Sequence, residues 1–394
     1  MVYVAAFGAI NSLGSSQDEI KHNLSQNYCA KHCLIQQEGW LLNGKKTWLG
    51  KVNNQTLPAI PKHLSPYSTR NNQLLYAAYL QIQTEINKAI KKYNADRIAI
   101  VIGTSTSGID EGDKYIKQLT QTGNHNQNFT YAQQELGNPS CFLTMLLGLT
   151  GPSYTISTAC TSSAKAIISG KRLIELGIVD AAIVGGADSL SRMPINGFNA
   201  LEALSEKPCT PFAEKRDGIN IGEAGALFLL TKEPTSDIRL LGIGESSDAY
   251  HISSPHPEGI GAQQAMQMAL DTAKLTINDI GYINLHGTAT KLNDLAESKA
   301  VYRLFKQNLP PCSSTKHLTG HTLGSAAITE LALSCLLLDQ NIYLPQQDFS
   351  QSPYDESLDK INIITKKMML EKRIIMSNSF AFGGNNASLI IGKI

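Results

Sequence analysis

Short apolar runs ending in glycine alternate with amphipathic stretches along the whole chain. "RIAIVIG", "DAAIVGG" and "GYINLHG" are continuous apolar runs closed by Gly, the pattern of strands buried in a covered sheet. "NNQLLYAAYLQIQTEI" puts Leu75, Ala78, Ile82 and Ile86 on one helical face, and "GAQQAMQMALDTAKL" repeats that character later in the chain. Strands and helices in alternation predict an α/β fold. Some pieces occur twice. "IAIVIGTSTSG" (98–108) and "GYINLHGTATK" (281–291) are both strands running into Gly, Thr and a polar turn. "YTISTACTSSAK" and "IIMSNSFAFGGNN" are both strands ending in small-residue turns. One copy of each lies before and one after the break at "TKEPTSDIRL" (231–240), so two similar halves are expected, 1–234 and 235–394.

At 394 residues the chain is longer than most single cores, which agrees with two packed halves. It is 42% hydrophobic and 17% charged, enough for a large core in a globular protein. The net charge of +1 gives no global pull toward nucleic acid or anionic membrane. No apolar run approaches a membrane span, and the N-terminal "MVYVAAFGAINSLGSSQDE" reads as a strand rather than a signal peptide. Seven scattered cysteines fit a reducing cytoplasm better than a disulfide framework. Cys29, His32 and Cys33 in "YCAKHC" have no second ligand pair at metal spacing, so no metal is expected there.

Cys160 in "TISTACTSSAKAI" falls between a strand-like and a helix-like run. A buried cysteine is usually a small packed hydrophobe. Near a helix N-terminus it is also a candidate nucleophile, because the helix dipole favours a thiolate. His286 in "NLHGTAT" and His321 in "STKHLTGHTLGS" sit in Gly- and Thr-rich turns. Each is open to a structural reading, or to facing a pocket outside the carboxyl ends of the strands. "HTLGSAAITELALSCLLL" (321–338) predicts a helix that buries Glu330 among Ala and Leu. A buried carboxylate needs a cation, and Lys316 is the candidate; an exposed Glu330 is the alternative. "NSFAFGGNN" lacks the Lys-Ser/Thr ending of a P-loop. Its glycines suit close backbone approach to a substrate, and its amides suit an oxyanion.

Taken together, "TACTSSAKAI", "TPFAEKRDGINIGEAGALFLL", "SSDAYHISSP", "HGTAT", "STKHLTGH" and "NSFAFGGNN" resemble, in chain order, the elongating β-ketoacyl-acyl-carrier-protein synthases of the thiolase-like superfamily. The resemblance covers almost the whole chain. It implies the thiolase fold, two duplicated βαβαβαββ halves forming a five-layer αβαβα sandwich. It implies decarboxylative condensation of malonyl-acyl-carrier protein with an acyl group held on Cys160. His286 and His321 would bind the enolate, and Lys316 and Glu330 would support His321. The N–H groups of Cys160 and Phe382 would form the oxyanion hole, with Phe382 as a gate. Thr288 and Thr290 resemble pantetheine contacts, and Phe198, Phe380 and Ser253 the remaining substrate contacts. No cofactor is implied.

The implied partners are acyl carrier protein bearing acyl or malonyl phosphopantetheine, and a second subunit, in a homodimer or in a heterodimer with a similar chain. The second subunit would pair through "SYTIST" (153–158). The sequence departs from the family pattern at Ala381 and Asn385, where "GFGGTN" has become "AFGGNN". Only Arg70, with Lys62 upstream, remains where a carrier-docking segment usually holds more cations. These departures point to an aryl-polyene-like or other type II polyketide system rather than housekeeping fatty-acid synthesis. Two other readings are a non-catalytic, chain-length-factor-like partner subunit and an unrelated Cys-dependent hydrolase.

Overall fold

The structure, a computed structural model, describes residues 1–26, 33–125 and 128–393. Cys29 and His32 of the rejected metal motif lie outside the described residues; Cys33 is buried in the core. The strands are β1 (Val2–Ile10), β2 (Ile35–Gln37), β3 (Thr47–Gly50), β4 (Ile98–Gly103), β5 (Ser153–Ile156), β6 (Ala181–Asp188), β7 (Ile221–Gly222), β8 (Ala224–Thr231), β9 (Ile238–Ser247), β10 (Tyr282–Asn284), β11 (Cys312–Ser313), β12 (Ile374–Phe380) and β13 (Asn385–Lys393).

Ten strands lie in the order β11-β10-β12-β13-β9-β1-β8-β6-β4-β5. The order is the same pattern written twice. In β5-β4-β6-β8-β1, β4 runs parallel to β5 and β6, and β8 antiparallel to β6 and β1. In β11-β10-β12-β13-β9, β10 runs parallel to β11 and β12, and β13 antiparallel to β12 and β9. The two sets meet only where Val2 and Tyr3 pair with Leu240 and Arg239. Strand period two then sorts the side chains into layers. Ala99, Val101, Ala182, Val184 and Phe228 face a central core shared with Tyr282, Ile375, Leu389 and Ile391 of the other set. The helices Ser162–Glu175 and Ala326–Leu337 fill that core. Ile98, Ile100, Ile102 and Ile183 face the opposite way, onto the helices Arg70–Gln81 and Asn138–Leu147. Ile283, Met376 and Ile390 do the same onto Ile260–Ala273 and Lys291–Phe305. The result is the αβαβα sandwich of the thiolase fold, with a helix layer trapped between two sheets.

The Ser162–Glu175 helix sits hard against β4. A Cβ on Gly103 would lie 2.3 Å from Ser163 N, so only glycine lets the helix start this close to the strand end. Two expectations differ in detail. The helix expected over 71–86 breaks at Ile82 (φ −123°), giving Arg70–Gln81 and Gln83–Lys92. The break lets Gln81 donate to Ala9 O at 2.8 Å and accept from Ala9 N at 3.2 Å while Ile82 stays buried. The helix expected from 321 starts at Ala326. Leu323 is left-handed (φ +54°), which no regular helix admits. His321 is thereby left outside the helix, in an irregular buried turn.

β5 is the outer strand of its set and is only partly buried. No described strand pairs with its outer edge, which offers a template for a second subunit. Light scattering of the purified protein should therefore give a two-subunit particle, homodimeric or built with a similar chain. A well-folded, active monomer at micromolar concentration would contradict the pairing of this edge.

Candidate active site

Cys160 stands where the chain turns from β5 into the Ser162–Glu175 helix. Small hydroxyl residues close the turn. Thr158 N donates to Ser162 Oγ (2.9 Å), Thr161 Oγ1 to Thr158 O (2.7 Å), and Ser162 Oγ to Ala159 O (2.6 Å). Ala159 is left-handed (φ +53°), and this kink turns the Cys160 side chain into the interior. The thiol is 6% exposed. Burial pushes it up to about 11, against the pull of Lys316 and of the N–H groups of Phe382 and of Cys160 itself. Burial thus raises the thiol despite its place at the start of a helix.

His321 is pinned by the main chain. Its N–H donates to Asn220 O (2.7 Å) and its carbonyl accepts from Gly222 N (2.9 Å), a short strand-like pairing with β7. Leu323 N–H donates to His321 Nδ1 at 3.0 Å. An acceptor at Nδ1 puts the ring proton on Nε2, and Nε2 lies 3.1 Å from Cys160 Sγ. His286 follows β10. Its N–H and that of Gly287 donate to the buried Glu297 carboxylate at 2.8 and 2.7 Å. The two imidazoles stand edge to face, centroids 5.4 Å apart and planes at 89°. Both are held well below the ordinary histidine value, by burial first and then by the Lys316 cation. They are neutral donors at physiological pH.

Lys316 and Glu330 form a fully buried ion pair. Burial pushes the Glu330 carboxyl up to about 7, with Lys316 opposing. Glu330 Oε2 has no hydrogen-bond partner. Neither residue lines the cavity; the pair lies behind the histidines and sets their charge environment. Glu330 is thus buried, as the apolar helix face predicts, and not an exposed residue.

Cys160, His286 and His321 open into a cavity of about 530 Å³. Phe198, Ser253, Thr288, Thr290, Phe380 and Phe382 line it as well, so every site residue expected from the sequence except the ion pair reaches it. Thr288 and Thr290 share a hydroxyl hydrogen bond of 2.9 Å, and the rings of Phe198 and Phe382 meet at 5.5 Å. Asp217, Asn293 and Asn386 also line the cavity and escaped sequence reading, although Asp217 and Asn386 lie in segments already singled out. Glu297 escaped as well; a Glu on a helix carries no mark that it will hold a distant turn. Arg70 turns out to be committed inward, donating from Nε to Glu223 Oε2 at 2.7 Å. Cys160, His286 and His321 hold their ligand-type atoms within 4.8 Å of one another. A metal would need the lone pair at His321 Nε2, and the Leu323 hydrogen bond puts a proton there instead.

Comparison with known proteins agrees with this geometry. The β-ketoacyl synthase N-terminal domain matches residues 73–235 and the C-terminal domain residues 238–350. The 3-oxoacyl-[acyl-carrier-protein] synthase 2 of Vibrio harveyi is 33% identical over 338 residues, 81% of this chain and 80% of that protein. Nodulation protein E of Rhizobium meliloti is 30% identical over 76% of this chain and 77% of its own length. Among solved structures, the ketosynthase ApeO in complex with its chain length factor ApeC, from Xenorhabdus doucetiae, superposes with a TM-score of 0.96. That match has 52% identity and covers 100% of this chain and 98% of the other. The chain belongs to the β-ketoacyl synthase family, the condensing acyltransferases of fatty-acid and polyketide synthesis.

Removing one member of a buried ion pair strands the other charge, at a cost of about 3–5 kcal/mol. Glu330→Ala should therefore lower the thermal midpoint and the turnover together, far more than Lys45→Ala at an exposed pair. A Glu330→Ala protein with parental melting and turnover would show that the pair carries no load.

Proposed function

We propose that the chain is the active ketosynthase subunit of a type II system, with Cys160 as the nucleophile. The observation that carries this reading is the convergence on one sulfur: His321 Nε2 at 3.1 Å and the N–H groups of Phe382 and Cys160, all facing a cavity shared with His286. In the first half-reaction Cys160 Sγ attacks the thioester carbonyl of an acyl carrier protein. The thiol gives up its proton, the carrier's sulfur leaves with one, and the acyl group stays on Cys160. The His321 Nε2–H and the two amides stabilise negative charge on the attacking sulfur, where burial otherwise opposes it. The two amides then hold the carbonyl oxygen of the tetrahedral intermediate.

In the second half-reaction malonyl thioester loses carbon dioxide. The bond electrons become an enolate whose oxygen accepts hydrogen bonds from the neutral His286 and His321 rings. The enolate carbon attacks the acyl carbonyl on Cys160, and the sulfur leaves. Two neutral imidazoles suit this step better than imidazolium ions, because they stabilise the enolate without protonating it. Lys316 lends a positive field from behind. Phe382 gates the cavity, Thr288 and Thr290 bind the pantetheine arm, and Phe198, Ser253 and Phe380 complete the substrate contacts. Residues 1–234 contribute the nucleophile and 235–394 the histidines.

The 52% identity to a ketosynthase solved with its chain length factor supports a heterodimer in an aryl-polyene-like type II polyketide pathway. Cys160 argues against this chain being the non-catalytic partner. With Arg70 bound to Glu223, carrier docking falls to other cations. We place it in the cytoplasm, where the thiols of Cys141, Cys160, Cys209, Cys312 and Cys335 stay reduced.

Separate half-reaction assays test the roles. Cys160→Ala should abolish condensation. His286→Ala and His321→Ala should keep measurable Cys160 acylation by intact mass while decarboxylation falls roughly 10²–10³-fold, the usual cost of one lost donor. Full decarboxylation by both histidine variants, or an acyl label on another residue, would overturn the assignment.

A further inference from the structure

Asp188 closes β6 and is completely buried. Its carboxylate serves both halves of the molecule. Oδ1 accepts four hydrogen bonds from the turn after β4: Thr104 Oγ1 (3.0 Å), Ser105 N (2.8 Å), Thr106 N (2.7 Å) and Thr106 Oγ1 (2.7 Å). Oδ2 accepts from Ser325 N at 2.8 Å, in the turn that follows His321. No proposed catalytic step uses this carboxylate.

Each end of the strap continues to a reacting group. Ser105 Oγ lies 3.4 Å from Ala159 O, the carbonyl of the left-handed residue before Cys160. Ser325 ends the short turn Leu323–Ser325, and Leu323 is the residue whose N–H fixes the His321 tautomer. Leu323 is itself left-handed, a conformation that a branched apolar residue holds only when its neighbours impose it. The middle residue, Gly324, packs flat on the carboxylate: a Cβ there would lie 2.8 Å from Asp188 Oδ2 and 2.6 Å from Ser105 Oγ. Gly324 and Ser325 of the turn are thus pressed against Asp188.

We infer that Asp188 is a positioning residue, which holds the 323–325 turn so that Leu323 N–H keeps the His321 proton on Nε2, facing Cys160. The inference rests on the proposed roles of Cys160 and His321. Substituting a carboxamide tests it with little change in shape. In Asp188→Asn one oxygen becomes an NH2, and either way round the amide then faces an N–H. With four donors at Oδ1, the oxygen stays there and the NH2 meets Ser325 N–H. The turn then moves away and Nδ1 loses its donor.

The experiment compares parent, Asp188→Asn and the milder Thr106→Val, which removes one of the four Oδ1 donors, each purified with its partner subunit if one is required. Histidine-selective 15N NMR reads the His321 tautomer, assigned by its loss in His321→Ala. Steady-state assays read kcat and KM for malonyl-carrier protein. The parent should show a single Nε2–H tautomer. Asp188→Asn should show a mixture, with kcat down at least tenfold and KM within about twofold; Thr106→Val should show the same signs at smaller amplitude. A parental tautomer and kcat in any folded variant that melts lower would make Asp188 merely structural and overturn the inference. If Asp188→Asn does not fold, Thr106→Val decides by the same two readings. The tautomer needs no turnover, so a parent that shows Nε2–H but no malonyl-dependent activity fails the functional reading and not this one.

Discussion

One main-chain hydrogen bond, Leu323 N–H to His321 Nδ1, decides what this site can do. With it, His321 is a neutral donor that faces the sulfur. Without it, the same ring could present a lone pair to the sulfur and act as a base, or take a metal. Burial works in the same direction, since it holds both imidazoles uncharged and keeps the Cys160 thiol protonated at rest. The charge that chemistry requires is created only when substrate arrives, and the donors are already in place to receive it.

The fold supplies this by duplication. Cys160 follows β5 of one five-strand set and His286 follows β10 of the other, and these two side chains converge with His321. The elements that carry them are locked by unlike means. Cys160 depends on hydroxyl side chains and on Gly103, which lets its helix press on β4. His286 depends on Glu297, and His321 on backbone pairing with β7. Lys316, held by Glu330, places a buried cation near both imidazoles, at the expense of two buried charges.

The chemistry-bearing side chains were legible because they stand in unusual local contexts: a thiol among small hydroxyls, imidazoles in glycine turns, a carboxylate on an apolar helix face. The layered fold was legible through strand periodicity, through the repeat, and through resemblance to a known family. What escaped did so for two reasons. Asp188 and Glu297 act on partners brought near by the tertiary structure. The Leu323 N–H acts only two residues away, but it is a backbone atom, for which residue type carries no signal. The start of the Ala326–Leu337 helix was misplaced for a related reason: composition favours helix back to His321, but the left-handed Leu323 is imposed by its tertiary neighbours. The resting state of Cys160 likewise follows from burial, which the helix-terminus reading could not weigh.

The central claim is that these residues join carbon to carbon at the expense of a carboxylate. Its most direct test is to supply the protein, with its partner subunit if one is required, with an acyl-carrier protein and malonyl-carrier protein bearing 13C in the free carboxyl. Carbon dioxide and carrier-bound products are then followed together by mass spectrometry. The account predicts one labelled carbon dioxide for each β-ketoacyl chain formed, and a product longer than the starter by two unlabelled carbons. Free acid released from the starter, with the malonyl carboxyl retained, would contradict it and mark the protein as a hydrolase.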